Sequence, residues 1–199
     1  MIAGVITTPN RQKYLNNLIS VIAPQVDKFI IFNDQHRQGH TWNYKRCVRE
    51  TTALAKTDEP VLIMTDDVIT VSDWRDRFEA LQQKVPNDIY TFFTRKPHMI
   101  KHIEAGYAKG CFARGFYDQA VVYINQNNLI DKIEKWLPER GHLYMDSKRV
   151  KHFDVVIQEY LIDTNQEWVV TVPTLFDHIG EESTMGHDIG GSIAYIGAR

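Results

Sequence analysis

Cysteine is nearly missing from this chain of 199 residues, with Cys47 and Cys111 its only two. Two thiols cannot build a disulfide framework or a thiolate metal centre, and such sparse usage fits a reducing compartment. Long apolar runs are missing too. No segment approaches the roughly 20 residues that a membrane span requires. The opening Met1-Ile2-Ala3-Gly4-Val5-Ile6 passes straight into Thr7-Thr8-Pro9-Asn10-Arg11, without the basic start and apolar core of a secretion signal. The expected location is therefore cytoplasmic. Charge of one sign is missing as well: 23 Lys and Arg against 25 Asp and Glu leave a formal net charge of -2. The chain as a whole announces neither nucleic acid nor membrane as its partner. Internal repeats and low-complexity tracts are absent.

What remains is an ordinary globular balance, 43% hydrophobic and 24% charged, in a length that suits one domain spanning 1–199. The Gly190, Gly191 and Gly197 tail, from about residue 188, is expected to be mobile. Ile2–Ile6 reads as a buried strand ending in a Thr-Thr-Pro-Asn turn. Tyr14, Leu15, Leu18, Ile19 and Ile22 then recur at helical spacing until Pro24. Lys28–Phe32 is a second strand with Asp34 just beyond it. A helix from Thr41 carries Tyr44, Cys47, Val48, Thr51 and Leu54 on one face. Val61–Val68 is the third strand. Further elements are a helix through Trp74, Phe78 and Leu81, a strand over Ile89–Phe93, helical material from Phe116 to Leu137, a helix from Phe153, and a late strand ending at Pro173, at or near a sheet edge. Alternation of this kind predicts an α/β fold, a single Rossmann-like, mainly parallel twisted sheet flanked by helices, with ligands at the carboxyl ends of the strands.

Asp66-Asp67 stand where the third strand stops. Two adjacent carboxylates at the end of a buried strand repel each other and resist desolvation, so they call for a neutralising partner. A hard divalent cation such as Mg²⁺ or Mn²⁺ is one such partner, since these ions take one or two carboxylates and leave positions for substrate phosphates. Exposure to water is the other explanation. Thr7 with Arg11 and Asp34 belong to the same sheet edge, where an arginine suits phosphate and a carboxylate suits a ribose or base edge. From Arg95 to Arg114, five Lys or Arg residues against one Glu are interleaved with His98, His102, Tyr107 and Phe112. This pattern suits a phosphate backbone and stacked bases, or merely a solvated loop.

Taken in order, Thr7 and Arg11, Asp34, Gly39-His40-Thr41-Trp42-Asn43-Tyr44-Lys45-Arg46, Asp66-Asp67, and Pro173 followed by His178-Ile179-Gly180 and Ser183-Thr184 resemble a nucleotide-sugar-dependent glycosyltransferase of the GT-A fold. The resemblance runs from Ile2 to His187. The short chain and its Asp-His-Ile-Gly-x-x-Ser-Thr segment are also similar to compact phage-type, DNA-modifying transferases. The resemblance implies that Asp66-Asp67 occupy the family's Asp-x-Asp site, with Thr65 departing from the pattern in place of the first acid. Asp67 is then the metal ligand, and Asp66 meets a ribose or sugar hydroxyl. His178 completes the shell around Mn²⁺ or Mg²⁺, with His187 in reserve. Thr7, Arg11, Asp34, Arg46, Ser183 and Thr184 contact the donor, a UDP-sugar by preference, and Gly106 and Gly110 shape its pocket. Asp154 is the base of an inverting enzyme, or only a helix-dipole partner in a retaining one. Arg95, Lys96 and Lys101 approach the acceptor, either a hydroxymethylated pyrimidine in DNA or a saccharide hydroxyl. Two rival readings remain. One is a nucleotidyltransferase of similar fold, although no glycine-rich, lysine-bearing loop follows the first strand. The other is a nucleotide-sugar-binding module without catalysis.

Overall fold

β1 (Ile2–Thr7) is buried at all its positions, and α1 (Gln12–Ile22) turns Leu15, Leu18 and Ile22 toward it. β2 (Lys28–Asn33), α2 (His40–Leu54) and β3 (Val61–Thr65) follow as the sequence predicts. β2 and β3 flank β1, both parallel to it. In this computed structural model, residues 1–109, 116–140, 144–145, 149–150, 153–179 and 195 are described. The next elements are β4 (Val68–Thr70), α3 (Trp74–Lys84), β5 (Ile89–Thr91), a 3₁₀ turn (Pro97–His102), β6 (Tyr107–Lys109) and β7 (Ala120–Tyr123). α4 (Leu129–Trp136), β8 (Tyr144–Met145), β9 (Arg149–Val150), α5 (Phe153–Asp163), β10 (Val169–Thr171) and β11 (Phe176–His178) complete the order.

The main sheet has seven strands in the order β2-β1-β3-β7-β5-β10-β6. Five run one way, while β7 and β6 run against their neighbours. The expected α/β class is thus observed, and β10 lies next to the edge strand β6.

The reading of Phe116–Leu137 as helical is corrected in part. Ala120-Val121-Val122-Tyr123 is a fully buried strand between β3 and β5, and the helix starts only at Leu129. Four consecutive apolar residues carry no period that separates a buried strand from a buried helix segment. Enclosure between two strands decides it.

Alternation along the strands splits the core into two layers. Val61 and Ile63 of β3 face α2, α4 and α5 with Val121, Tyr123, Val156 and Ile157. Leu62 and Met64 face α1 and α3 with Leu18, Trp74, Phe78 and Phe92. Gly4 sets the distance of α2 from β1, because a Cβ there would lie 2.7 Å from both Cys47 Sγ and Thr51 Oγ1. Among the described residues no helix is long and apolar enough to cross a membrane.

Candidate active site

The carboxyl ends of β1, β2 and β3 meet on one edge, as parallel crossovers require. The chain turns sharply at Asp66-Asp67, then re-enters extended structure as β4, which pairs antiparallel with β11 so that His178 lies opposite Val68. Phe176 pins β11 to the core, stacked on Phe92 at 5.4 Å and edge-on to Trp74 at 5.6 Å. The Ile179 N–H donates to the Asp67 carbonyl at 2.8 Å. A histidine from late in the chain thereby reaches the aspartate pair: His178 Nε2 is 2.9 Å from Asp67 Oδ2.

A guanidinium lies between the two acids. Arg11 Nε donates to Asp66 Oδ1 at 2.7 Å, and its terminal nitrogen is 2.5 Å from Asp67 Oδ2. Thr7 Oγ1 donates to the other Asp66 oxygen at 2.5 Å. Arg11 closes the short 3₁₀ turn Pro9–Arg11 that follows β1, and is the buried residue of that turn. The neutralising partner that the sequence demanded is therefore an arginine in this structure. Arg11, expected against donor phosphates, has its charge engaged by Asp66 and Asp67. Burial opposes its charge, but the two carboxylates outweigh it and raise its pKa.

The acids, equivalent in sequence, differ in state. Burial pushes the Asp66 carboxyl up despite its bonds to Thr7 and Arg11. Burial also works against Asp67, but the hydrogen bond and charge of His178, with Arg11 behind them, hold it at about 2. Asp67 is the firmly ionised member.

Asp34 is also buried, and its two oxygens accept the Gln38 N–H at 2.8 Å and the Gly39 N–H at 2.7 Å. It ties down the loop that opens α2, where Gly39 at φ 99° supplies a backbone conformation that L side chains rarely adopt. Asn43 continues the brace, donating to the carbonyls of Phe32 at 2.7 Å and Thr7 at 3.3 Å. Arg46 is not brought to Asp66 and Asp67. It lies on the exposed face of α2, bonded to Glu50 at 3.0 Å and packed over Phe32 and Trp42. Asp154 sits in the first turn of α5, where its Oδ1 accepts the Val155 N–H at 2.8 Å. Its charge also reaches His40 and Tyr117, so it borders the site as well as capping a helix. Arg95 and Lys101 are exposed and Lys96 half-buried along the segment leaving β5. Ser183, Thr184, His187, Gly110, the 110–115 part of the basic segment and, apart from Tyr195, the glycine tail from about 188 lie outside the described residues.

One member escaped the sequence reading. Asp118, just before β7, is 5% exposed, and its carboxylate lies 3.8 Å from His40 Nε2. Burial, with the charge of Asp67 adding to it, pushes Asp118 up to about 7. Burial lowers the pKa of His40 against the pull of Asp154, Asp67 and Asp66. Beneath them the Tyr44 and Tyr123 hydroxyls pair at 2.9 Å, fully buried, with both pKa values raised. The signal was available only to a reading that recognised β7, which brings Asp118 to the edge.

The groups present suit a divalent cation of the Mg²⁺ or Mn²⁺ type. A firmly ionised carboxylate and an imidazole form a donor pair for Mn²⁺. In this structure the two are joined to each other by a hydrogen bond at 2.9 Å, which a bound ion would have to replace. No group of three or more His, Cys, Asp or Glu placed to hold a metal occurs among the described residues.

No known family model matches the sequence, and no curated protein matches it. Solved structures share the fold distantly. The chain is similar to the galactosyltransferase LgtC in complex with donor and acceptor sugar analogs, at 10% identity and TM-score 0.45, covering 80% of this chain and 70% of that one. It is similar to the apo-form glycosyltransferase GlyE of Streptococcus pneumoniae TIGR4 at 12% identity and TM-score 0.47, covering 84% of this chain but only 44% of that one. It is also similar to the inositol-1-phosphate CTP transferase of T. maritima, at 9% identity and TM-score 0.42, covering 85% of this chain and 65% of that one. Likeness at this level assigns neither a residue role nor an activity.

Proposed function

We propose that the protein transfers a sugar from a nucleotide diphosphate sugar to an acceptor hydroxyl, with a divalent ion held by Asp67 and His178. The observation that carries this reading is the delivery of His178 to the ionised Asp67 by the β4–β11 pair. The 2.9 Å contact joins an imidazole from late in the chain to an acid at the carboxyl end of β3, where a substrate's phosphates would lie. When bound, Mn²⁺ or Mg²⁺ supplies positive charge to the diphosphate that leaves the sugar. Arg11 offsets part of the carboxylate charge and holds Asp66 and Asp67 in fixed positions. Thr7 and Asp34 shape the edge where a nucleoside would lie. A proton leaving the acceptor has two acceptors in reach of the edge, Asp154 in an inverting reaction and Asp118 beside His40. The exposed Arg95 and Lys101, with the half-buried Lys96, face an acceptor that carries phosphate, with a hydroxymethylated pyrimidine in DNA as the favoured candidate and a saccharide hydroxyl as the alternative.

A donor-hydrolysis screen across nucleotide sugars, with and without Mn²⁺, tests the proposal. The wild type is expected to turn over one UDP-sugar only with the metal, and Asp67→Asn to lose about a hundredfold or more, the scale for removing one electrostatic element of such a site. Equal turnover by both proteins would refute the metal assignment. A thermal shift with a free nucleoside triphosphate but none with any nucleotide sugar would replace sugar transfer with nucleotidyl transfer.

A further inference from the structure

β2 ends the main sheet on one side and β6 ends it on the other. β6 is blunted in the ordinary way, with only three residues and an exposed lysine, Lys109, paired to Glu167 at 2.9 Å. β2 lacks such guards. It runs six residues in unbroken register with β1, without proline, glycine or bulge, and its one charge is Lys28 at the first position. The Asp34 N–H donates to the Thr7 carbonyl, so by the alternation of a strand the even positions of β2 turn their amides to β1. Phe29, Ile31 and Asn33 then present their N–H and C=O groups outward.

The side chains around this edge are apolar or uncharged. Ile31, at the middle of the open row, is 44% exposed. Trp42, 42% exposed, stands beside the end of the strand on the other face, since Arg46 lies over both its ring and that of Phe32. On the Ile31 face, the chain from Tyr14 to Val26, which forms most of α1 and the turn after it, carries no charged residue, and Asn16, Asn17, Ser20 and Val21 are exposed there. Depletion of charge marks the core of an interface. The charges lie at the ends instead: Asp27 and Lys28 open the strand, while Asp34 and Arg37 follow it.

We propose that β2 pairs antiparallel with β2 of a second copy of this chain, about a two-fold axis at Ile31, so that the two sheets become one. The strand is complementary to itself in this register, as an isologous interface requires. Ile31 meets Ile31 of the second copy as a hydrogen-bonded pair, Phe29 meets Asn33, and Ile30 meets Phe32 on the opposite face. The next rung sets Lys28 against Asp34 of the second copy, and Asp27 falls toward its Arg37, so each charge has an opposite one across the axis. Parallel pairing would set like charges together. An axis normal to the sheet keeps α1 of both copies on one side and both Trp42 rings on the other. The contact thereby extends beyond the strands, toward the about 800 Å² per partner that a stable dimer buries. None of this depends on the sugar-transfer reading.

The test combines sedimentation velocity of the whole protein at rising concentration with cysteine cross-linking in a Cys111→Ser background. The wild type is expected to double in mass as concentration rises. Ile31→Cys is expected to form an intermolecular disulfide under mild oxidation, because residues of a hydrogen-bonded antiparallel pair lie about 5.5 Å apart at Cα, within disulfide reach. Ile103→Cys, at a position 47% exposed on the turn that leads to the other edge strand, is expected not to cross-link. Ile31→Lys should stay monomeric at every concentration while keeping its melting temperature, since the position already faces water. Lys28→Glu is expected to weaken the dimer about tenfold, because it sets two pairs of like charges across the axis. A wild type that remains monomeric, cross-linking no greater at position 31 than at 103, a dimer that survives Ile31→Lys, or a Lys28→Glu dimer as tight as the wild type would each overturn the proposal.

Discussion

Replacing Arg11 with methionine keeps much of the side chain's bulk and removes the cation that Asp66 and Asp67 share. The Arg11 side chain is 9% exposed and its partners 4% and 15%, so water replaces little of what is lost. Removing one partner of a buried ion pair costs about 3–5 kcal/mol because the remaining charge is left uncompensated. For a chain of this length that corresponds to a fall in Tm of roughly 6–20 °C at neutral pH. The loss has a pH signature. Asp67 is held at about 2 in the folded chain, below its ordinary 3.8, so its stabilising contribution is present above that ordinary value and disappears as pH falls toward 2. The gap between wild type and R11M should narrow over this interval. It should also narrow with Mn²⁺, which can take the place of the guanidinium. A ligand at a hundredfold excess over its Kd contributes about 2.7 kcal/mol, and R11M should gain more from it than the wild type does. Calorimetry of both proteins at neutral and acid pH, with and without Mn²⁺, measures all three effects. An R11M variant as stable as wild type at neutral pH would refute the argument, since it would mean that solvent already carries the two charges.

Asp118→Asn should stabilise the protein above pH 7. A carboxyl raised to about 7 by burial favours the folded state below its ordinary value and loses that advantage as pH rises through 7. The loss is roughly 4 kcal/mol across the interval, and urea titrations at pH 5 and pH 8 will show a flatter profile for the variant. Gly4→Ala should cost about 1–3 kcal/mol by overpacking, since the new Cβ would sit 2.7 Å from Cys47 Sγ and Thr51 Oγ1. Urea denaturation should show partial recovery on adding Cys47→Ala.

The frame was legible wherever periodicity and punctuation agreed. β1 to β3 are β-branched runs ending at turn residues, and Pro24 and Pro86 lie just past α1 and α3. β7 was lost because Ala-Val-Val-Tyr is too short to show a period, and Asp118 was lost with it. For the site, composition announced that Asp66-Asp67 needed a counter-charge but could not say which cation arrives. Arg11, one turn beyond β1, reaches both acids through a fold-back of the chain that no local pattern encodes. Arg46, on the outer stripe of its helix with Glu50 one turn on, faces away for a reason that is local: the buried stripe is Tyr44, Cys47, Val48 and Thr51.

The β4–β11 pair has a kinetic consequence. Its strands lie more than a hundred residues apart in sequence, and contacts of such separation bear a large loop-closure entropy. The parallel crossovers of β1 to β3 can assemble with Arg11 on its aspartates before β11 docks. His178 reaches Asp67 when β11 docks. Those two groups are therefore joined through a ladder that closes a long stretch of chain and is held to the core by Phe176. A ligand bridging Asp67 and His178 would act on the opening of that ladder directly, coupling occupancy of the site to the docking of a strand.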